Sequence, residues 1–412
     1  MRKIFVFAFL LPQLVFGQTA EVSKDDMNLT IREIMEKYYE GKNFYVGSTS
    51  EIQMWKLDNK FDEKYAKFFF NEVSYNTPEN CFKQQVVNRT DGGKYDIWNS
   101  SEYQYFIKQA RKHKQVLRAH CPISPQCNEW ARDDIRSSEE LMTALTNFMT
   151  RMSTELEKNK DVVLWMDVVN EVFSGSRQKG IGYEGKHKDN DVIYEFYDWF
   201  GPKKGCDKWE NPWTQIGFET VTYNGETFEI PKYIRMAFEI ANKYAPNVKK
   251  VWNSHGRELK IESMENLQRA VSYIRSLGLD IDAIAWQAHL NLGWEKKQEN
   301  IDNLQKMISW CYENGLEFHI SELDIIVAEG EQEKCLNQQA LERTREQQAA
   351  TLGALFEVFL QNRGKGAVGF NCWTLIDHFN GGTTFASIFD QKLNPTPAYF
   401  RMKELLLKYR DL

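Results

Sequence analysis

Two stretches of the sequence carry side chains whose types and spacing suit proton transfer and nucleophilic attack. The first, Asp161-Val-Val-Leu-Trp-Met-Asp-Val-Val-Asn-Glu171, is an apolar, β-branched run that finishes in an amide and a carboxyl side by side. The second, Leu316-Glu-Phe-His-Ile-Ser-Glu-Leu-Asp-Ile-Ile326, supplies another carboxyl, Glu322, near the end of another apolar run. A polar strand end that merely meets solvent would account for either alone; two together suggest a pair able to act as acid, base or nucleophile. Side chains alternate along a strand, so Glu322 and Asp324 are expected on one face and His319 on the other. If that face opens into a barrel mouth, both acids are presented there.

The elements that must hold these groups follow from the hydrophobic pattern. Strands are predicted near 43–48, 68–75, 114–120, 162–169, 247–253, 282–287, 317–324 and 367–373. Helices are predicted near 57–69, 101–113, 138–159, 231–245, 262–277, 297–314, 338–362 and 397–409, with a further helix at about 26–40 covering the barrel before its first strand. Apolar runs without alternation fit strands covered on both faces. Eight strand–helix repeats favour a single closed (β/α)8 TIM barrel over an open sheet. No glycine-rich phosphate fingerprint follows the first strand, which argues against a dinucleotide fold. Between Glu171 and the helix at 231 lies a long insertion after strand 4, read as a loop region on the active face. Its Trp199, Trp209 and Trp213 either line a cleft or pack the insertion against the barrel.

Composition narrows the partners. The 412 residues are 42% hydrophobic with a formal charge of −6, which suits a soluble globular protein and argues against nucleic acid. Twelve Trp and 18 Tyr offer flat faces for sugar rings, although most aromatics serve the core. Residues 1–17 have a basic start, an apolar centre and a small residue before Gln18, the pattern of a secretory signal peptide, too short to span a bilayer. The mature chain, 18–412, is therefore expected to be one exported barrel domain, extracellular, periplasmic or at the cell surface. Seven cysteines (Cys81, Cys121, Cys127, Cys206, Cys311, Cys335 and Cys372) show no metal spacing and leave room for one or two disulfides of undetermined pairing. Asn28, Asn88 and Asn99 begin glycosylation acceptor triplets.

The ordered motifs carry a resemblance. Asp167-Val-Val-Asn-Glu171, Gln287-Ala-His289 and Ser321-Glu-Leu-Asp324 occur in the order and context of glycoside hydrolase family 10, whose members are typically endo-β-1,4-xylanases. Thr77-Pro-Glu-Asn-Cys-Phe-Lys83, Arg118-Ala-His120, Pro212-Trp-Thr-Gln-Ile-Gly217, Tyr233-Ile-Arg-Met-Ala-Phe238, Asn253 and Pro397-Ala-Tyr399 extend the likeness over almost the whole mature chain.

The resemblance implies a retaining double displacement, with Glu171 as acid/base and Glu322 as nucleophile. Carboxyls about 5–5.5 Å apart suit retention, and an ionised Glu322 would favour the protonated form of Glu171 until it is esterified. Asn170 is implied to bind the 2-hydroxyl of the sugar being cleaved, and His289 to bridge Glu322 and Asp324. Asn80, Lys83, His120, Gln287 and Trp373 match substrate-binding positions. The implied partner is a polysaccharide met by a monomer, with no metal or cofactor required.

The departures lie near the sugar. Ser124 and Gln84 stand where the family usually has Trp, Asn380-Gly381 replaces a usual Ser-Trp, and Asn253-Ser-His-Gly256 replaces Asn-Asp-Tyr-Asn. Loss of indole walls is expected to enlarge or repolarise the pocket. Xylan is the leading substrate, another or heavily decorated β-glycan the competitor, and a non-catalytic carbohydrate-binding protein on a decayed scaffold the reading from a different class.

Overall fold

The computed structural model describes residues 22–50, 62–84, 101–125, 137–172, 212–255, 259, 261–327, 337–379, 383–384 and 387–412. The signal-peptide reading of residues 1–17, the triplets at Asn88 and Asn99, the indoles of Trp199 and Trp209, Asn380-Gly381 and three cysteines (Cys127, Cys206 and Cys335) lie outside the described residues.

Eight parallel strands form a closed ring: β1 (Tyr45–Ser50), β2 (Tyr75–Pro78), β3 (Val116–Ala119), β4 (Val163–Asn170), β5 (Lys249–Ser254), β6 (Ala283–Trp286), β7 (Glu317–Ile326) and β8 (Ala367–Cys372). Each pairs with its neighbours in sequence, and β8 closes on β1 through Val46↔Phe370 and Gly47↔Asn371. After α1 (Ile31–Tyr38), helices α2 (Glu63–Glu72), α3 (Ser101–His113), α4 (Ser138–Lys158), α5 (Lys232–Tyr244), α6 (Ile261–Ser276), α7 (Gln298–Glu313), α8 (Gln338–Gln361) and α9 (Pro397–Lys408) alternate with the strands, as expected of a TIM barrel.

Local chemistry sets the helix starts. Thr30 and Ser137 each form a reciprocal capping box with the glutamate three residues on, Glu33 and Glu140. Asp62 caps α2 by accepting from Tyr65 N–H at 2.9 Å. That cap corrects the expected strand at 68–75, because Phe68-Phe69-Phe70 belong to a helix that buries Phe69 and Phe70, and β2 starts only at Tyr75. Aromatic residues fit strands and buried helices alike, so the triple Phe misleads.

The insertion corrects a second expectation. Its described end is not loop alone: Phe218–Tyr223 and Glu226–Pro231 form an antiparallel hairpin turning at Asn224-Gly225. Both turn residues have positive φ, 52° and 83°, as a two-residue hairpin turn requires.

The main core lies between the strand ring and the helices, with Phe69, Phe106, Met149, Phe238, Ile274, Phe356 and Leu406 buried there. Within the ring, a separate group of Tyr75, Trp165, Val251, Ala283 and Ala285 packs together. Charged groups share this space: Arg118, Asp167 and His319 are all fully buried.

Candidate active site

Alternation alone cannot bring Asn170 and Glu171 to one place, since neighbours on a strand point to opposite faces. The backbone breaks the rule at Glu171, whose φ of +53° is left-handed, and Glu171 N–H donates to Asn253 O at 3.2 Å. A comparable break serves β7, where pairing with β8 shifts register between Ile320 and Leu323. In consequence Ser321 and Glu322, although adjacent, both reach Asn253. The same shift corrects the expected division of faces. His319 meets Arg118 across the barrel while Glu322 meets Asn253, so both lie on the interior side.

Three amides tie the two carboxyls together. Gln287 Nε2 donates to Glu171 Oε1 at 2.8 Å and to Asn170 Oδ1 at 3.2 Å. Asn170 Nδ2 donates to Glu171 Oε1 at 3.2 Å and to Ser124 Oγ at 3.3 Å. Asn253 Nδ2 spans the gap, donating to Asn170 Oδ1 at 2.7 Å and to Glu322 Oε1 at 2.8 Å, while Ser321 Oγ donates to Asn253 Oδ1 at 2.7 Å. Asn170 and Asn253 each bond on two sides within this chain. Gln287 Oε1 is buried with no partner among the described residues, which leaves one acceptor for a ligand hydroxyl.

Two imidazoles flank Glu322. His289 joins Glu322 Oε2 through Nε2 at 3.3 Å and Asp324 Oδ1 through Nδ1 at 2.9 Å. His120 joins Asp167 Oδ2 through Nδ1 at 2.9 Å and lies 3.7 Å from Glu322 Oε1 through Nε2. His289, held between two carboxylates, serves both only as a cation donating from both nitrogens, whereas His120 hydrogen-bonds Asp167 through Nδ1 and stands beside Glu322 as an ion-pair partner. Burial opposes the charge on His289, but Asp324 and Glu322 outweigh it and raise the pKa to about 10. For His120, burial is likewise overcome by the Cys121 sulfur, Glu322 and Asp167, again to about 10. Burial would push Glu322 up, yet His120, His289 and the Asn253 amide bring it down to about 2, so it stands ionised. Trp373 sits edge-on to both imidazoles, with ring centroids 5.5 Å from His120 and 6.2 Å from His289.

Of the residues singled out in the sequence, Glu171, Glu322, Asn170, Gln287, His289, Asp324, His120 and Trp373 thus form one constellation. Asn80 and Lys83 meet each other, Lys83 Nζ donating to Asn80 Oδ1 at 3.2 Å. They adjoin Glu79, whose carboxyl is pushed up by burial despite Lys83 and His120 beside it. Glu79, Asn253 and Asp167 had no role in the sequence reading. Glu79 and Asp167 lie inside quoted motifs as unassigned acids, and Asn253 lies at the end of a predicted strand, so position relative to strand ends was the available sign.

Two of the departures from the family pattern, Gln84 and Ser124, are coupled. Gln84 Nε2 donates to Ser124 O at 2.6 Å, and Trp213 Nε1 donates to Gln84 Oε1 at 2.7 Å. All three side chains are fully buried, so this corner is repolarised by filled packing and Trp213 anchors the insertion. Cys121, Cys311 and Cys372 are buried free thiols. Among the described residues no His/Cys/Asp/Glu group has the arrangement of a metal site, and no helix is long and apolar enough to cross a membrane.

The chain is similar to known proteins over most of its length. The model of the family described as "Glycosyl hydrolase family 10" matches residues 34–405. Endo-1,4-β-xylanase B of Thermotoga neapolitana is 23% identical over 404 residues, covering 95% of each chain. Endo-1,4-β-xylanase A of Caldicellulosiruptor saccharolyticus is 25% identical over 338 residues, 79% of this chain and 84% of the relative. Among solved structures, xylanase 10B from Thermotoga petrophila RKU-1 in complex with xylobiose superposes with a TM-score of 0.67 at 20% identity, over 93% of this chain and 99% of that one.

Proposed function

We propose a function from one premise: the chain belongs to glycosyl hydrolase family 10, whose model matches residues 34–405. It is a retaining endo-hydrolase of β-1,4-linked xylan. Glu322, ionised between two imidazolium groups, attacks the anomeric carbon, and Glu171 gives its proton to the departing glycosidic oxygen. The bond formed is a glycosyl ester on Glu322. Glu171, now a carboxylate, takes a proton from water, whose oxygen displaces Glu322 and restores the original configuration. Asn170 and Gln287, joined to both carboxyls' surroundings, bind the hydroxyls of the sugar at the cleavage point, and Asn80, Lys83 and Trp373 hold the rest of that side of the chain.

The observation that carries this reading is the continuous bridge from Glu322 through Asn253 and Asn170 to Glu171, because a binding site alone would not need two carboxyls locked in one frame. The substrate assignment is supported by the relatives named endo-1,4-β-xylanase. A second substrate reading rests on the Gln84–Ser124–Trp213 contacts: a polar corner in place of stacking indoles suits another or more heavily decorated β-glycan. Read as a secretory leader, residues 1–17 place the reaction outside the cytoplasm, and the N-terminal sequence of exported protein tests this.

Product release from xylans, decorated xylans and algal galactans, each with a Glu322→Gln control, tests the function. Xylo-oligosaccharides that vanish in the control support the endo-xylanase. Activity confined to another glycan keeps the mechanism and replaces the substrate, whereas binding without hydrolysis of any would overturn the enzyme reading in favour of a decayed scaffold.

A further inference from the structure

Below the site, the barrel axis is occupied by charged groups where bulky aliphatic layers are usual. Lys249 and Glu317 form an ion pair at the floor, and Trp165 Nε1 donates to Glu317 Oε2 at 3.0 Å. His319 Nε2 lies 3.1 Å from Glu317 Oε2, and its Nδ1 lies 3.4 Å from Arg118 NH1. Arg118 grips Asp167 with two prongs, Nε to Oδ2 at 2.9 Å and NH2 to Oδ1 at 2.5 Å. Asp167 in turn holds His120 Nδ1 at 2.9 Å, and His120 faces Glu322. The floor of the barrel is thus joined to Glu322 by unbroken polar contacts.

The chemistry of the donors fixes the state of each member. A guanidinium can only donate, so His319 Nδ1 must carry a lone pair and its proton must sit on Nε2, directed at Glu317. Burial, with Arg118 and Lys249 nearby, holds the His319 pKa below its ordinary value, consistent with a neutral ring. Along the axis the charges then run positive at Lys249, negative at Glu317, neutral at His319, positive at Arg118, negative at Asp167, positive at His120 and negative at Glu322. Tyr75 OH, 3.5 Å from Arg118 NH1, completes the groups around the guanidinium. Glu79, with Lys83 beside it, faces His120 from beyond β2, and Cys121 Sγ lies 3.3 Å from its Nε2.

We propose that Arg118, supported from beneath by neutral His319 and the Glu317–Lys249 pair, is a positioning residue for the nucleophile: through Asp167 it fixes His120 as a doubly protonated cation against Glu322. Arg118 is the member that stays charged at every working pH, so the column is set from the middle outward. The inference takes from the proposed function only that Glu322 is the nucleophile.

The test follows the histidine ring nitrogens by NMR in the full-length protein, alongside the pH profile of kcat/KM. The sequence has seven histidines, few enough to assign by single variants. In the parent, His120 is expected to remain doubly protonated from about pH 5 to about pH 8, well above an ordinary imidazole. Arg118→Lys keeps the charge but loses the fork, and is expected to lower the His120 titration by about one unit, a tenfold change in its protonation equilibrium, with the acid limb of kcat/KM moving upward. His319→Gln, which retains one acceptor and one donor, is expected to behave as the parent, and His319→Phe as Arg118→Lys. A parent His120 that titrates near ~6.5 overturns the proposal. So does an unchanged titration in the folded Arg118→Lys or His319→Phe protein. Because the NMR readout needs no substrate, inactivity on every glycan with the expected titrations would count against the proposed function and leave the column standing.

Discussion

Gly369→Ala tests whether the polar column depends on a missing side chain. An added Cβ at Gly369 would lie 2.3 Å from His319 Nδ1, 3.0 Å from Cε1 and 3.1 Å from Cγ. Ordinary contact needs about 3.5 Å, so the ring must retreat by about 1 Å. It has no free direction. Trp165 stands edge-on with centroids 5.0 Å apart, and the two ring nitrogens are engaged by Glu317 at 3.1 Å and Arg118 at 3.4 Å. Overpacking of a filled interior costs about 1–3 kcal/mol, and weakening a hydrogen bond to a charged group about 1.5–3 kcal/mol more. We expect a loss of about 2.5–6 kcal/mol, read as a lower urea midpoint at unchanged slope. In a His319→Ala background the same substitution has room, and its cost should fall below about 1 kcal/mol. Equal cost in both backgrounds, or none in the parent, would refute the close-approach argument.

Four further outcomes follow from the same geometry. The His120 and His289 pKa values, raised from 6.5 to about 10, contribute stability that is complete below about pH 6.5 and lost as pH rises toward 10, at no more than about 1.4 kcal/mol per unit for each ring. Urea midpoints that stay level or climb over that interval contradict it. Glu322, lowered from 4.5 to about 2, acts with the opposite sign, its contribution being present above 4.5 and lost as pH falls toward 2. Asn253→Asp places a second carboxylate where an amide now donates to Glu322 Oε1 at 2.8 Å, so the acid limb of kcat/KM should move up by about one unit or more; an unmoved limb argues that Asn253 does not face the ionised nucleophile. Trp213→Phe removes the indole donor to Gln84 and should destabilise by about 1–3 kcal/mol, a loss that measurement within a few tenths of the parent would exclude.

The repeat of apolar runs and amphipathic helices made the barrel legible, since each strand is buried on both faces and each helix on one. Asn224-Gly225 also announced a hairpin, but the surrounding Thr, Glu and Tyr lacked the long apolar alternation that would have made it stand out. The site was legible where a carboxyl or amide closed a strand. It was not legible where partners come from distant strands: nothing local in Gln84 or Ser124 states that they bond each other, 40 residues apart. Lys249 and Glu317 likewise read as the solvent-facing starts of strands, although they meet at the floor of the barrel axis.

The feature furthest from any periodic reading is also the one that assembles the chemistry. Regular strands offer a barrel mouth every second residue, which would give Asn170 without Glu171 and Ser321 without Glu322. This chain departs from regularity at both places, with left-handed backbone at Glu171 and a register shift between Ile320 and Leu323. Ala288, φ +60°, adds a third departure between Gln287 and His289. Left-handed conformations of non-glycine residues cost on the order of 1–3 kcal/mol each and persist where surrounding contacts over-determine them. Here those contacts are identifiable: Asn253 O holds Glu171 N–H, Gln287 O holds Glu322 N–H, and the amides of Asn170, Asn253 and Gln287 hold the side chains so presented. The same bonds that offset the strain also double the density of functional groups at two strand ends, so neighbouring residues supply an acid with its hydrogen-bonding amide and a nucleophile with the hydroxyl that orients its partner.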